Sequence, residues 1–404
     1  MEAHISPSLI SGRIKAPQSK SIAIRLLFAS LLGDISLDDL EASDDVQAAV
    51  KAISSVKNAM GNEGSPSIAL NVRGSGTTLR MLLPVLGFLG IDCTLSGDST
   101  LKNRPLGVIK SWLQDNGAAL SSDHLPLRIS GKITTDNVEI SGSESSQYIS
   151  GLIYGLLLAG GGKINLIPPV RSRSYIEMTC GILNSLGCSV NFKGFEIIVQ
   201  PPDSRLRFRG EVPGDFLLSS FYAIGAIITG GELEITGLNH SGWSSGDSRI
   251  VEIIHSSGKD SYMYDDSWHI GGKESVNPIE EDVEDSPDMA VSLAALAATA
   301  IGESRITGTQ LLGIKESNRN ASITRTLESF GIGASAGNEI SIRNTGIYNK
   351  GIVKDWKDHR IAMLGTILAL RSGGIIHGAE SVAKSNPHFY DDIIRLGGKL
   401  ALRS

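Results

Sequence analysis

One kind of segment recurs six times along the chain and restricts its fold more than anything else in it: a short polar start, an apolar helix-like run, and a glycine. The six are QSKSIAIRLLFASLLG, SGTTLRMLLPVLGFLG, SSQYISGLIYGLLLAG, GDFLLSSFYAIGAIITG, DSPDMAVSLAALAATAIG and DHRIAMLGTILALRSG. Their closing glycines, Gly33, Gly90, Gly160, Gly230, Gly302 and Gly373, lie 57, 70, 70, 72 and 71 residues apart. A near-constant period of this kind marks a repeated structural unit, and glycine closes helices because it enters left-handed backbone without strain. A second, more amphipathic helix keeps the same beat, each copy again ending at a glycine: SDDVQAAVKAISSVKNAMG, RPLGVIKSWLQDNG, SYIEMTCGILNSLG, SRIVEIIHSSG, NASITRTLESFG and FYDDIIRLGG. Each period therefore predicts one mostly buried and one half-exposed helix. Short β-like runs lie between them, among them PSIALNV, LPLRIS, VEIS, GKINLI, FEIIVQ, ELEITG and GIIHG, bounded by turn-forming residues.

Six α/β units in 404 residues exceed one core, since single cores stop growing near about 250 to 300 residues. Two lobes of three units are expected, with the chain crossing near Glu211 to Gly214. Charged residues make up 20% and hydrophobic residues 41%, which is enough apolar surface for a globular α/β protein. A formal net charge of -6 argues against a chain that coats nucleic acid, so any anion site must be a local cluster. Cys93, Cys180 and Cys188 form neither a CxxC pair nor an even set, which suits structural thiols in a reducing compartment. The first residues lack the apolar stretch of a secretory signal, and no run reaches the roughly 18 apolar residues that span a bilayer. A cytoplasmic protein without a membrane partner is expected. No phosphate-cradling glycine loop, dinucleotide fingerprint or zinc spacing is present, so no cofactor and no metal is assigned.

The polar starts of the six apolar helices hold Lys20, Ser21, Thr77, Thr78, Ser145, Ser146, Gln147, Asp215, Asp288, His359 and Arg360. A buried helix presents unpaired N–H groups and partial positive charge at its first turn, which favours anions there. Any one of these residues alone is explained as an N-cap. Together with Arg25, Arg104, Lys315, Arg319 and Lys384 in or beside the same segments, they predict a site for polyanions.

These blocks carry a resemblance. PQSKSIAIR, RGSGTTLR, NRPLGVI, ESSQY, SRSYIEMT, DSPDMA, IKESNR, DHRIAM and VAKSNPHFY follow one another as in the 5-enolpyruvylshikimate-3-phosphate synthase family, which the chain resembles from end to end. The resemblance implies a two-lobed inside-out α/β barrel, each lobe built from three βαβαββ units. The lobes would be residues 15–212 and residues 1–14 with 213–404, with the active site in the cleft between them. It further implies that phosphoenolpyruvate meets Lys20, Gly76, Thr77, Arg104, Gln147, Arg319, Arg360 and Lys384. Shikimate 3-phosphate would meet Ser21, Arg25, Ser145, Ser146, Gln147, Ser172, Tyr175, Asp288 and Lys315. Four departures stand out: Gly74 and Ser75 where the family usually has Asn and Ala, Leu311, Leu312 and Gly313 where it often has Asn-Trp-Arg, Asn318 for a frequent Asp, and Asn386 and His388 within a common Phe-Pro-Asp-Tyr segment.

Two substrates, each with a phosphate and a carboxylate, bring together roughly five to six negative charges. Arginines can clamp such groups in fork geometry and lysines act as point charges. Exchange of a vinyl phosphate for a vinyl ether needs a proton on the methylene carbon, attack by a hydroxyl on its neighbour, and loss of a proton and phosphate. Asp288 is expected to take the hydroxyl proton, Glu316 to handle the methylene proton, and Lys20 to assist phosphate departure. Gly76, lacking a side chain, should leave room for glyphosate. Two other functions compete: enolpyruvyl transfer to UDP-N-acetylglucosamine, whose enzymes usually carry a reactive loop cysteine, and a non-catalytic polyanion-binding module. A monomer is expected.

Overall fold

The helix Phe216–Thr229 is apolar on every side, with Phe216 through Ile228 all buried. Such a helix is stable only inside a core, and the other five apolar runs behave alike: Lys20–Ala29, Gly76–Leu89, Ser146–Ala159, Met289–Ala297 and His359–Ser372 are helices with mostly buried residues. The computed structural model describes residues 1–61, 67–102, 104, 106–238, 243, 246–272 and 275–404. Among these residues no helix is long and apolar enough to cross a membrane.

The second, amphipathic helix of each period is also present: Asp44–Met60, Val108–Asp115, Arg173–Ser185, Arg249–Ser256, Arg319–Ser329 and Phe389–Arg395. Two of the buried helices stop short of their expected glycine. Lys20–Ala29 ends four residues before Gly33, and Met289–Ala297 ends five before Gly302. Both glycines instead begin strands, Gly33–Asp38 and Gly302–Thr307. At Gly33 the reason is close approach, since a β-carbon there would lie 2.1 Å from the Leu206 carbonyl oxygen of the paired strand.

The protein is a mixed α/β structure with two compact units. A first unit holds Lys20–Val212 together with Trp243. A second holds Met1–Ser19 with the described residues of 213–238 and 246–404. The expected boundary after residue 14 thus moves to Ser19, because Gly12–Lys15 runs parallel to Leu233–Thr236 and the Ser19 N–H donates to the Pro213 carbonyl. Each unit has its own apolar core.

Five of the six sheets among the described residues share one order: a parallel pair, then two antiparallel neighbours. In Glu280–Asp282, Gly302–Thr307, Ile340–Asn344 and Gly333–Ala336, for example, the first two are parallel and the remaining contacts antiparallel. The sixth sheet has two strands, Leu206–Glu211 parallel to Gly33–Asp38. This accounts for the short first period. After Gly33–Asp38 the chain passes through Asp44–Met60 to Ile68–Asn71, and the sheet gains no local hairpin.

Glycines set the helix spacing inside the first unit. A β-carbon on Gly151 would lie 2.6 Å from the Met81 carbonyl, and one on Gly155 would lie 2.3 Å from the Phe88 ring. Gly76–Leu89 and Ser146–Ala159 therefore pack backbone to backbone, which brings their first turns side by side.

Candidate active site

Those paired first turns form one cluster. Ser75 caps its helix through Oγ, which accepts from the Thr78 N–H, and Ser145 caps the next by accepting from the Gln147 N–H. Gln147 then bridges the two helices: its Nε2 donates to Thr77 Oγ1 at 2.8 Å and its Oε1 accepts from Arg80 Nη1 at 3.0 Å. Arg80 and Arg104 both border Gly76, since a β-carbon there would stand 2.9 Å from Arg80 Nη1 and 3.4 Å from Arg104 Nη1. Sequence reasoning missed Arg80, although its place one helical turn after Gly76 puts it on the same face.

The helix Lys20–Ala29 adds two further cations to the first unit. Lys20 Nζ lies 2.9 Å from Asp45 Oδ2, and both side chains are largely shielded from solvent. Arg25 is buried, and its guanidinium donates to Thr179 Oγ1 at 2.8 Å, the Ser21 carbonyl at 2.9 Å and the Tyr175 carbonyl at 3.1 Å. It ties the helix Lys20–Ala29 to Arg173–Ser185. Ser172 is buried at the start of Arg173–Ser185 with φ 55, left-handed backbone that costs a non-glycine residue of order 1–3 kcal/mol. Its carbonyl accepts from the Tyr175 N–H. Ser146 is buried in the first turn of its helix, while Ser21 and Ser145 remain partly exposed.

The second unit holds a denser cluster. Arg319, 1% exposed, donates to three carboxylates: Nε to Asp358 Oδ2 at 2.9 Å, Nη1 to Asp288 Oδ1 at 2.7 Å, and Nη2 to Glu316 Oε2 at 2.9 Å. Lys315 Nζ lies 3.0 Å from Asp288 Oδ1, Arg360 Nη2 lies 3.8 Å from Asp288 Oδ2, and Lys384 Nζ lies 3.5 Å from Glu316 Oε1. Four cations thus face three carboxylates. Asp358 also caps His359–Ser372 by accepting from the Arg360 N–H. Arg360 is buried, and its Nε and Nη1 make no hydrogen bond among the described residues.

The cluster decides what Asp288 and Glu316 are not. Asp215 and Asp358 are true caps, each accepting from a backbone N–H, whereas Asp288 makes no cap hydrogen bond. Burial pulls the Asp288 carboxyl upward, but Lys315, Arg319 and Arg360 outweigh it and hold the group well below the ordinary carboxylate range. Asp288 is therefore a standing carboxylate, the form that accepts a proton. Glu316 is no surface ion pair either, being 14% exposed and held between Arg319 and Lys384. His359 is buried, with Nδ1 4.0 Å from Asp358 Oδ1.

Behind this cluster lies an acid that sequence reasoning did not single out. Asp247 is buried and accepts a short hydrogen bond from Ser286 Oγ, two residues before Asp288. Burial, followed by the nearby Asp215 carboxylate, pushes its pKa up to about 7. The folded state therefore holds a proton that the unfolded chain releases near pH 4, so this contribution is full below about pH 4 and disappears as pH rises through about 7. Asp247→Asn should flatten the fall in unfolding free energy between those limits, worth up to about 4 kcal/mol, when denaturant midpoints are measured against pH.

Asn103 and Pro105 of the NRPLGVI block lie outside the described residues. Among the predicted site residues, Gly76, Thr77, Arg104, Ser145, Ser146 and Gln147 lie at the paired first turns, Ser21 and Arg25 adjoin the Ser172–Tyr175 turn, Asp288, Lys315, Glu316, Arg319, Arg360 and Lys384 share the second cluster, and Lys20 pairs with Asp45.

Comparison with known proteins agrees over the whole length. Residues 6–393 match the family model described as EPSP synthase (3-phosphoshikimate 1-carboxyvinyltransferase). The chain is 42% identical over 414 residues to a 3-phosphoshikimate 1-carboxyvinyltransferase of Saccharolobus solfataricus, covering 100% of both chains. It is likewise 42% identical over 410 residues to the protein of that name from Sulfurisphaera tokodaii, again covering 100% of both. A solved structure of EPSP synthase from Acinetobacter baumannii aligns with a TM-score of 0.77 at 25% identity, covering 99% of this chain and 100% of that one.

Proposed function

The chain belongs to the EPSP synthase family, and from that membership we propose that its two charged clusters bind phosphoenolpyruvate and shikimate 3-phosphate for enolpyruvyl transfer. The protein is a 3-phosphoshikimate 1-carboxyvinyltransferase: it moves the enolpyruvyl group to the 5-hydroxyl of shikimate 3-phosphate and releases phosphate. The observation that carries the assignment of residues is the pair Asp288 and Glu316, ionisable groups set among Lys315, Arg319, Arg360 and Lys384. A polyanion-binding module would gain nothing from two carboxylates there.

In this reading the unsatisfied Nε and Nη1 of Arg360, with Lys384, Lys20, Arg104, Thr77 and Gln147, receive phosphoenolpyruvate. Ser21, Ser145, Ser146, Ser172, Tyr175 and Lys315 receive shikimate 3-phosphate, and Arg25 and Arg319 hold the two clusters in shape. The 5-hydroxyl oxygen bonds to C2 of phosphoenolpyruvate while Asp288 takes the hydroxyl proton and C3 gains a proton from Glu316. The tetrahedral product then returns the C3 proton to Glu316 as its C–O bond to phosphate breaks, and the hydroxyl proton held by Asp288 passes to the departing phosphate, whose charge Lys20 offsets. We further read each unit as an inside-out α/β barrel of three βαβαββ repeats, and the protein as a cytoplasmic monomer.

The decisive measurement is inorganic phosphate released from phosphoenolpyruvate with shikimate 3-phosphate, against UDP-N-acetylglucosamine as the alternative acceptor. The sugar should give none. Burial pushes Cys93 and Cys180 to about 12 and Cys188 to about 11, so none is the ready thiolate that the alternative calls for.

Gly76 supports a second test. Gly76→Ala would drive a methyl against Arg80 Nη1 at 2.9 Å and so disturb the Gln147 bridge. The KM for phosphoenolpyruvate should rise about twofold to tenfold, the range for one lost hydrogen bond, and inhibition by glyphosate should weaken with it. An unchanged KM would remove Gly76 from the site.

A further inference from the structure

Lys384 ends the short turn Ala379–Lys384. The segment just after it is tied down in an unusual way. The N–H groups of Ser385 and Asn386 both donate to the Val382 carbonyl, at 3.1 and 2.8 Å. Asn386 Nδ2 then donates to the Tyr222 hydroxyl at 2.7 Å, and that hydroxyl donates to Asp392 Oδ2 at 2.9 Å. Tyr222 belongs to the buried helix Phe216–Thr229 and Asp392 to Phe389–Arg395, so three separate segments meet in one chain of hydrogen bonds.

The surroundings argue that this chain serves geometry rather than stability. Asn386 and Tyr222 are 1% and 0% exposed within an otherwise apolar core. Asn386 Oδ1 makes no hydrogen bond among the described residues, and a buried acceptor left unfilled costs about 1–3 kcal/mol. An apolar side chain would avoid that cost. A linked set of buried polar groups, in contrast, admits one arrangement and resists others.

Resting on the reading above, in which Lys384 holds phosphoenolpyruvate, we propose that Asn386, Tyr222 and Asp392 are positioning residues that fix where the Lys384 ammonium meets the substrate. Asp392 orients the Tyr222 hydroxyl, Tyr222 holds the Asn386 amide, and Asn386 sets the turn that aims Lys384 beside Glu316. The arrangement uses a side chain, Asn386, at which the sequence departs from the common pattern of its family.

Asn386→Leu keeps comparable bulk and removes the amide, and Tyr222→Phe removes the hydroxyl while keeping the ring. Either should raise the KM for phosphoenolpyruvate about fivefold to tenfold, with kcat and the KM for shikimate 3-phosphate little changed. In a Lys384→Met background, Asn386→Leu should have no further effect on that KM, because the residue it positions is gone. Additive effects in the double variant, or an unchanged KM in both folded single variants, would overturn the proposal. Amide hydrogen exchange over residues 379–386 needs no substrate and should show local loss of protection in both variants; unaltered protection also counts against it. A wild-type protein that released no phosphate would refute the function, while exchange would still decide the positioning.

Discussion

Asp288→Asn should lower turnover by about 10²- to 10⁴-fold, the range for removal of a positioned acid or base, while the protein stays folded. The substitution is nearly isosteric. It leaves Arg319 bonded to Asp358 and Glu316, so the buried guanidinium keeps two of its three counter-ions. What it removes is the one carboxylate of the cluster that faces Lys315, Arg319 and Arg360 without serving as a helix cap. Because its folded pKa lies well below the usual 3.8, Asp288 adds stability that is full above about pH 4 and is lost progressively as pH falls from there through the lower folded value. Unfolding free energies at pH 7 and pH 3 should therefore differ less in the variant than in the wild type. The kinetic measurement is phosphate release at saturating substrates. If Asp288→Asn kept most of its turnover and Glu316→Gln lost it, the hydroxyl proton would belong to Glu316.

Much of this architecture is legible in the sequence because it is periodic. Apolar residues on every side of a helix, closed by glycine, announce the six buried helices, and the 70-residue beat announces units that look alike. Periodicity is a local property, and what it missed is non-local. Gly33 and Gly302 read as helix ends, yet they begin strands whose partners, Leu206–Glu211 and Ile340–Asn344, lie far along the chain. The acid paired with Lys20 is 25 residues away, two of the three acids on Arg319 are 31 and 39 residues away, and Asp392 lies 170 residues from the hydroxyl it orders. No spacing rule links such residues. Resemblance supplied the proposed site residues that match motifs, but it gave no role to Arg80, which closes the RGSGTTLR block, nor to Asp45, Asp247 and Tyr222, which have no motif of their own. A polar residue in an apolar helix was the available signal for Tyr222, and it is ambiguous, since a tyrosine hydroxyl needs a partner in any core.

The two arginines of the second cluster should part company when each is replaced by methionine. Both are buried, and both resemble ligands of phosphoenolpyruvate when judged by sequence. Arg319 has its donors on Asp288, Glu316 and Asp358. Its removal leaves the buried Asp358 and the half-buried Asp288 and Glu316 without their shared cation, and breaking a buried charge pair in this way costs about 3–5 kcal/mol. Arg319→Met should therefore lower the denaturant midpoint markedly before any question of binding arises. Arg360 is the opposite case: Nε and Nη1 have no hydrogen-bond acceptor among the described residues, and its contact with Asp288 is 3.8 Å. A buried cation with idle donors contributes little to the folded state, so Arg360→Met should leave the midpoint nearly unchanged or raise it. Its loss should appear in kcat/KM for phosphoenolpyruvate, by about 10²- to 10⁴-fold, because two charge-assisted hydrogen bonds of about 1.5–3 kcal/mol each would go unmade. Unfolding curves and kinetics on the same two preparations separate the roles. An Arg360→Met protein that was strongly destabilised yet bound phosphoenolpyruvate normally would show that Arg360 supports the fold and that the anion is held elsewhere.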